Sequence, residues 1–355
     1  MVKLTDIGLK LNLFLRTGHS VLFQIKEFKA KTPDDLYNEI KKIPWEEIID
    51  LNGYFSVTSF TDNAEIVDSR FPNLKCKDAI ADRFVDTKGS RPNSGPDRNK
   101  TVINLHWRGD VASVYIDTSG ETIAKHGYRK IPFKAPIQES LASALILASK
   151  WDRKSPFVNP MCGSGTLAIE AALLAQNRAP GLLRSNFGFM HIIGFDSEPW
   201  EEMRQQARLA SKKIDFKIYA SDLNEDAIQA AKRNAATAGV DHVIEFSCVD
   251  FREAEVPEGG AGIVMFNPEY GERLGDISEL TAVYKEIGDF FKKKCAGYFG
   301  YVFTGNIDLG KQVGLKPKRK IEFYNSTIDC RLFEYELYSG SKKIKEETHD
   351  IEKGE

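Results

Sequence analysis

Two different rhythms of apolar and polar residues run along the chain. In the first third, positions 33–43 and 78–84 have helical spacing, 54–60 alternates as a strand does, and 102–107 and 111–116 flank Arg108-Gly109-Asp110 as a hairpin. Between these elements, residues 88–100 (KGSRPNSGPDRNK) gather Gly, Ser, Pro and Asn and predict an exposed loop. The simplest assembly is an α+β unit ending near Gly120. From Ile137 the rhythm becomes a long alternation of strand and helix. Helices are predicted at 137–150, 166–177, 225–238 and 280–294, and strands at 156–160, 216–222, 243–249, 262–267 and 298–304. That order is the signature of a parallel sheet with helices on both faces. Residues 320–324 and 327–338 then predict an antiparallel hairpin turning at Asn325-Ser326. After Ser339 the tail GSKKIKEETHDIEKGE is charged and almost free of large apolar groups, which predicts disorder.

Composition narrows the class. The chain has 355 residues, 42% apolar and 28% charged, with 22 Phe and 12 Tyr, enough for two domains with a large buried core. Disorder as the dominant state is excluded. The five cysteines, Cys76, Cys162, Cys248, Cys295 and Cys330, are scattered, with no CxxC pair and no His at zinc-ligand spacing. A reducing cytoplasm and a metal-free protein are the expectation. No apolar run reaches the roughly 18 residues of a membrane span, and the N-terminus lacks the features of a signal peptide, so no membrane role is expected. Net charge is only −2, but residues 70–134 hold 13 basic against 7 acidic side chains. Lys77, Arg83 and Arg98, with Tyr128, Arg129 and Lys130 after them, are therefore candidates for a phosphate-binding face, the alternative being an ordinary solvated surface.

The candidate chemistry lies in three places, each at a predicted strand end. Asn159-Pro160-Met161-Cys162-Gly163-Ser164-Gly165-Thr166 joins a strand to a helix; its glycines let the backbone approach a ligand, and the helix start offers free N–H groups to a nucleotide-like cofactor. It is not a P-loop, because no Lys follows the second Gly, and the third Gly of the dinucleotide fingerprint is missing. Asp222 ends the next strand and can accept both hydroxyls of a ribose, although a helix cap is the plainer role for an Asp there. Asp250 follows the third strand, where it could accept from an adenine amine with Phe251 beside the ring. After the fourth strand comes Asn267-Pro268-Glu269-Tyr270. The Asn oxygen and a Pro carbonyl can both accept hydrogen bonds from an exocyclic amine while the Tyr ring stacks on the base that carries it.

Taken in order, Gly127-Tyr128-Arg129, Ala135-Pro136-Ile137-Gln138-Glu139-Ser140-Leu141-Ala142, the Met-Cys-Gly-Ser-Gly-Thr loop, Arg178-Ala179-Pro180-Gly181, Ser221-Asp222 and Asn267 through Leu274 resemble the THUMP-domain class I methyltransferases. Within that family the chain is most similar to the branch that methylates guanine N2 in bacterial large-subunit rRNA. The resemblance implies a Rossmann-like α/β methyltransferase domain over 126–340, preceded by a ferredoxin-like remnant and an α+β THUMP RNA-binding domain over 1–125, with a disordered tail at 341–355. It implies S-adenosylmethionine as cofactor, held by Asn159, Pro160, Cys162, Gly163, Gly165, Asp222, Asp250, Phe251 and Pro136. Catalysis falls to Asn267, Pro268 and Tyr270 with Glu269 at the base edge. RNA contacts fall to Lys77, Arg83, Arg98 and Arg129, and the expected state is a cytoplasmic monomer acting on structured RNA, large-subunit rRNA first. An adenine amino-methylase of DNA or RNA, a tRNA guanine methylase and a catalytically inactive RNA-binding module remain as alternatives. Three departures from the family pattern stand out. Relatives carry more sequence before the point corresponding to Lys3, they have Asp where this chain has Asn159, and they have a second Pro where it has Glu269. A proline at 269 would restrict residue 268 to extended conformations.

Overall fold

The structure, a computed structural model, describes residues 6–62, 70–130, 136–259, 261–270 and 277–338. In chain order the elements are α1 (Asp6–Phe14), β1 (Leu22–Lys29), α2 (Pro33–Lys41), β2 (Tyr54–Asp62), α3 (Arg70–Lys88), β3 (Asn93–Ser94), β4 (Thr101–Arg108) and β5 (Val111–Asp117). There follow α4 (Glu139–Ala148), β6 (Phe157–Pro160), α5 (Thr166–Ala175), α6 (Ser197–Leu209), β7 (Ile218–Asp222), α7 (Glu225–Ala238) and β8 (Ile244–Cys248). Last come β9 (Ile263–Phe266), α8 (Ile277–Lys294), β10 (Phe299–Thr304), α9 (Ile307–Lys311), β11 (Arg319–Asn325) and β12 (Ile328–Glu336).

Two compact units emerge, and neither is a continuous stretch of chain. The first combines residues 1–127 with 178–211; the second combines 128–177 with 212–355. Beside the division expected near 125, the segment from Arg178 to Ser211 folds with the N-terminal elements. The reason is apolar: Phe187, Phe189 and Trp200 are almost fully buried and share one core with Leu36, Ile80, Leu105 and Trp107. Phe187 and Phe189 stack at 5.2 Å between centroids, and Trp200 meets both edge-on at 5.2 and 5.0 Å. Arg16 ties the segment's start by donating to the Arg178 carbonyl at 2.5 Å.

The first unit's sheet has the order β1-β5-β4-β2-β3. The predicted hairpin is β4–β5, in register from Val102↔Asp117 to Arg108↔Val111. Pro at the start of α2 and a reciprocal capping box between Thr32 and Asp35 fix that helix where helical spacing predicts it. The helix predicted at 78–84 is longer than expected and spans Arg70–Lys88. Helix α1, strand β1 and helix α6 carry no clean periodicity and were absent from the sequence expectations.

In the second unit the order is β11-β12-β10-β9-β6-β7-β8, parallel from β10 through β8, with β12 and β11 antiparallel at one edge. All the predicted strands and helices of this unit form, within a few residues of their expected ends. The hairpin turns at Ser326-Thr327, one residue later than predicted, with Ser326 at φ 58°. The order in which strands are added reverses between β6 and β9: β7 and β8 build to one side, β9 and β10 to the other. Ligands of open α/β sheets bind in the crevice at that switch point. The tail at 341–355 lies outside the described residues.

Candidate active site

β6 and β9, the two strands at the switch point, are buried along their whole length; Asn159 is the penultimate residue of β6, and β9 runs into Asn267. Backbone pairing between them stops at Val158↔Val264. Asn159 continues the contact with its side chain, its Nδ2 donating to the Met265 carbonyl at 2.9 Å. Its Oδ1 is buried and has no hydrogen-bond partner among the described residues. Asn267, just beyond β9, leaves its Oδ1 in the same condition. A buried acceptor without a donor costs on the order of 1–3 kcal/mol, so two of them at one crevice mark places where a donor is expected from outside the chain.

The loop after β6 is held from several sides. Met161 is a non-glycine residue at φ 58°, a conformation that needs support. The Cys162 N–H donates to the Ser221 carbonyl at 2.9 Å, and the Gly163 N–H donates to Asp222 Oδ2 at 2.9 Å. Gly165 begins α5 at φ 82°, where a Cβ would stand 2.9 Å from that of Ala231; only glycine fits. Around Gly163 there is open space. Asn234 of α7 donates to the Ser164 carbonyl at 3.3 Å and accepts from the Lys130 N–H at 3.1 Å. Burial pushes the Cys162 thiol up, with the Asp222 carboxylate adding to the effect, so it stays protonated.

Asp222 is not the helix cap. Asn224 caps α7, accepting from the N–H groups of Asp226 and Ala227. Asp222 Oδ1 accepts from the Asn224 N–H at 3.0 Å, so each oxygen takes one backbone donor and keeps a lone pair for a ligand. Asp250 is more fully engaged: Oδ1 accepts from the Arg252 N–H at 2.9 Å and Oδ2 from its guanidinium at 2.6 Å. Phe251, expected beside a ligand ring, is 6% exposed and packs edge-on against Phe266 at 5.7 Å. Pro136 is half-buried ahead of α4.

Beyond Asn267, Pro268 is buried, Glu269 is exposed and Tyr270 is half-buried. The Tyr284 hydroxyl lies 3.3 Å from the Glu269 carbonyl and 2.8 Å from the Thr304 hydroxyl, bracing the loop from below. Asn325 donates to the Tyr270 hydroxyl at 2.9 Å, and burial pushes that phenol up to about 12. Neither Tyr284 nor Asn325 has a local sequence signal, because each acts across the fold. The expected continuation through Gly271-Glu272-Arg273-Leu274 lies outside the described residues, as does Ala135.

Three of the four basic residues expected at RNA are paired within the protein. Arg83 grips Glu46 with two nitrogens, at 3.0 and 2.5 Å, and holds that carboxyl below the usual range. Arg98 donates to the fully buried Asp117 at 3.0 Å, where burial pushes the carboxyl up against the pull of the guanidinium. Arg129 belongs to the second unit. It donates to the Ile137 carbonyl at 2.5 Å and to Thr166 Oγ1 at 2.9 Å, with Glu139 at 3.6 Å. Lys77 stands half-buried on α3, while Lys88, Arg91 and Lys100 are exposed. Among the described residues no cluster of His, Cys, Asp and Glu could hold a metal, and no helix is long and apolar enough to cross a membrane.

Comparison with known proteins gives the arrangement a context. Residues 126–334 match the family described as RMKL-like, methyltransferase domain, and residues 30–117 match the THUMP domain. The chain is 36% identical over 343 residues to the ribosomal RNA large subunit methyltransferase K/L of Syntrophotalea carbinolica, covering 94% of this chain and 48% of that protein. It thus spans about half the length of the curated relatives it matches. A crystal structure of a methylase from Clostridium difficile 630 is 32% identical with a TM-score of 0.83, covering 94% of this chain and 88% of that one. The methyltransferase SMU.472, crystallised with S-adenosylhomocysteine, is 28% identical with a TM-score of 0.83 and covers 94% and 87%.

Proposed function

Since the chain belongs to the RMKL-like methyltransferase family and carries a THUMP domain ahead of that domain, we propose that it methylates the exocyclic N2 of a guanine in ribosomal RNA, large-subunit rRNA first. The observation that carries this reading is the orphaned Oδ1 of Asn267 at the switch point, beside Tyr270 and within one crevice of the orphaned Asn159 Oδ1. Large-subunit rRNA as the substrate class rests on the names of the relatives. The THUMP domain supports structured RNA as the partner, and five unpaired cysteines fit a cytoplasmic location.

S-adenosylmethionine, when bound, supplies an electrophilic methyl group on a sulfonium. The residues present fit it. Asn159 Oδ1 is an acceptor without a donor, Gly163 leaves room for close approach, and Asp222 keeps a lone pair on each oxygen. Guanine's N2 is a poor nucleophile because its lone pair is delocalised into the ring. Asn267 Oδ1 and the Pro268 carbonyl would accept the amine's two hydrogens and turn that pair toward the methyl. Tyr270 would hold the extruded base flat. With no covalent nucleophile required, positioning supplies most of the rate. Glu269, being exposed, can face N1–H and N2 of a guanine, two adjacent donors that adenine lacks.

Nucleoside mass spectrometry of rRNA from a deletion strain tests the reading. The strain should lose N2-methylguanosine, and re-expressed wild type should restore it while Asn267→Ala does not. Loss of N6-methyladenosine instead would make the enzyme an adenine methylase. An unchanged nucleoside profile, together with no binding of S-adenosylmethionine by calorimetry, would leave only an RNA-binding module.

A further inference from the structure

The loop that follows β9 ends its described stretch on an aromatic ring anchored to a distant part of the chain. Asn325, the last residue of β11, lies 55 positions away and donates Nδ2 to the Tyr270 hydroxyl at 2.9 Å. The thiol of Cys330, fully buried on β12, stands near enough for the phenol and the thiol to weigh on each other's ionisation, so the hydroxyl is lodged inside the hairpin. The ring is confined as well. A Cβ on Gly305, just past β10, would come within 2.8 Å of the ring carbons of Tyr270, so the backbone there lies flush against it. Phe303 meets it edge-on at 6.1 Å between centroids. Residues 267–270 have no regular secondary structure, so without such an anchor the ring could turn about two side-chain torsions.

We propose that Asn325 is a positioning residue for methyl transfer: by holding the Tyr270 hydroxyl in the β11–β12 hairpin it sets the tilt of the ring on which the target base stacks, so that Tyr270 acts through its face alone. The proposal rests on the base-methylation reading above. A phenol free to reach the base would contribute a hydrogen bond as well as a surface. This one is already engaged, and the strand-edge hairpin acquires a part in the reaction without touching substrate.

The test uses the full chain in four forms: parent, Asn325→Ala, Tyr270→Phe and the double variant. Methyl transfer to undermodified rRNA, S-adenosylhomocysteine affinity by calorimetry, and the 19F spectrum of 3-fluorotyrosine installed at position 270 are measured. Each single substitution removes the same bond from one end, so kcat should fall roughly tenfold in both. The double variant should be no slower than the slower single, and cofactor-product affinity should stay within about twofold. The 19F resonance of the Asn325→Ala protein should broaden or move as the ring gains freedom. Full kcat in Asn325→Ala, losses that multiply in the double variant, or an unchanged 19F line would each overturn the proposal. If Asn325→Ala does not fold, Tyr270→Phe probes the same bond, and its retention of full kcat counts against the anchor. A parent enzyme that transfers nothing to guanine would sink the base-methylation reading, while the 19F spectra would still decide whether Asn325 holds the ring.

Discussion

Asn159 shows how one side chain can serve two partners, and why its amide matters. Its nitrogen extends the β6–β9 contact past the last backbone pair by donating to the Met265 carbonyl, and its oxygen is buried without a donor among the described residues. The sequence alone identifies this residue as a departure from the Asp usual in the family. Only the structure shows that the amide also holds the strand that carries Asn267. A carboxylate at 159 would place an acceptor against the Met265 acceptor. Asn159→Asp should therefore destabilise the second unit by about 1–3 kcal/mol, the cost of a buried oxygen facing a carbonyl. Thermal denaturation checks this, and a higher Tm in the variant would show that the contact with Met265 contributes nothing. The other site residues divide in a similar way. Those within strand–loop–helix motifs, such as Gly163, Gly165, Asp222 and Asn267, are legible because backbone chemistry at a strand end demands them. The packing of Phe251 on Phe266 was not legible, because an aromatic beside a cofactor and an aromatic in the core look the same in one dimension.

At the level of elements, the cofactor loop depends on a buried polar frame that the sequence presents as a basic RNA contact. Arg129 links the Ile137 carbonyl ahead of α4, Glu139 within it and Thr166 at the first turn of α5. Charge counting left RNA and an ordinary surface both open, because a guanidinium in a basic stretch says nothing about which way it points, and the partners Glu139 and Thr166 come later in the chain. The carboxylates that meet Arg83 and Arg98, Glu46 and Asp117, are equally remote in sequence. Most strands and helices of the second unit, by contrast, were legible almost to their ends because their apolar residues keep strand or helix spacing between turn residues; the short α9 was not. Arg129→Ala should remove the guanidinium that stands 3.6 Å from the buried Glu139 and free the start of α5. We expect a loss of about 3 kcal/mol or more from breaking a buried pair, with weaker S-adenosylhomocysteine binding. The slope of RNA affinity against salt should stay as in the parent, since no phosphate contact is lost. Titrations of RNA binding at several salt concentrations measure that slope, and a shallower one would return Arg129 to the RNA.

For the whole molecule, the feature hidden from sequence is the excursion of residues 178–211 into the N-terminal unit. Strand–helix alternation continues on both sides of it, so the pattern gives no reason to exclude it from the second unit, and helix α6 has only Trp200 and Ala207 buried. What directs it is the aromatic cluster of Phe187, Phe189 and Trp200, whose partners Leu36, Ile80 and Trp107 lie far upstream. Sequence distance hides such a contact. The consequence is that the first unit cannot complete its core from residues 1–127 alone. Trp200, 1% exposed and in edge contact with both phenylalanines, is the test position. Trp200→Ala in the full chain should cost about 3–5 kcal/mol, as removal of a large buried aromatic does. The loss should be local to the unit that Trp200 completes. Hydrogen exchange should accelerate in α2, β4 and β5 while β6, β9 and β10 keep the parent's protection. Faster exchange in β6 and β9 with β4 and β5 unchanged would place the energetic allegiance of residues 178–211 in the second unit, against the packing of its aromatic side chains.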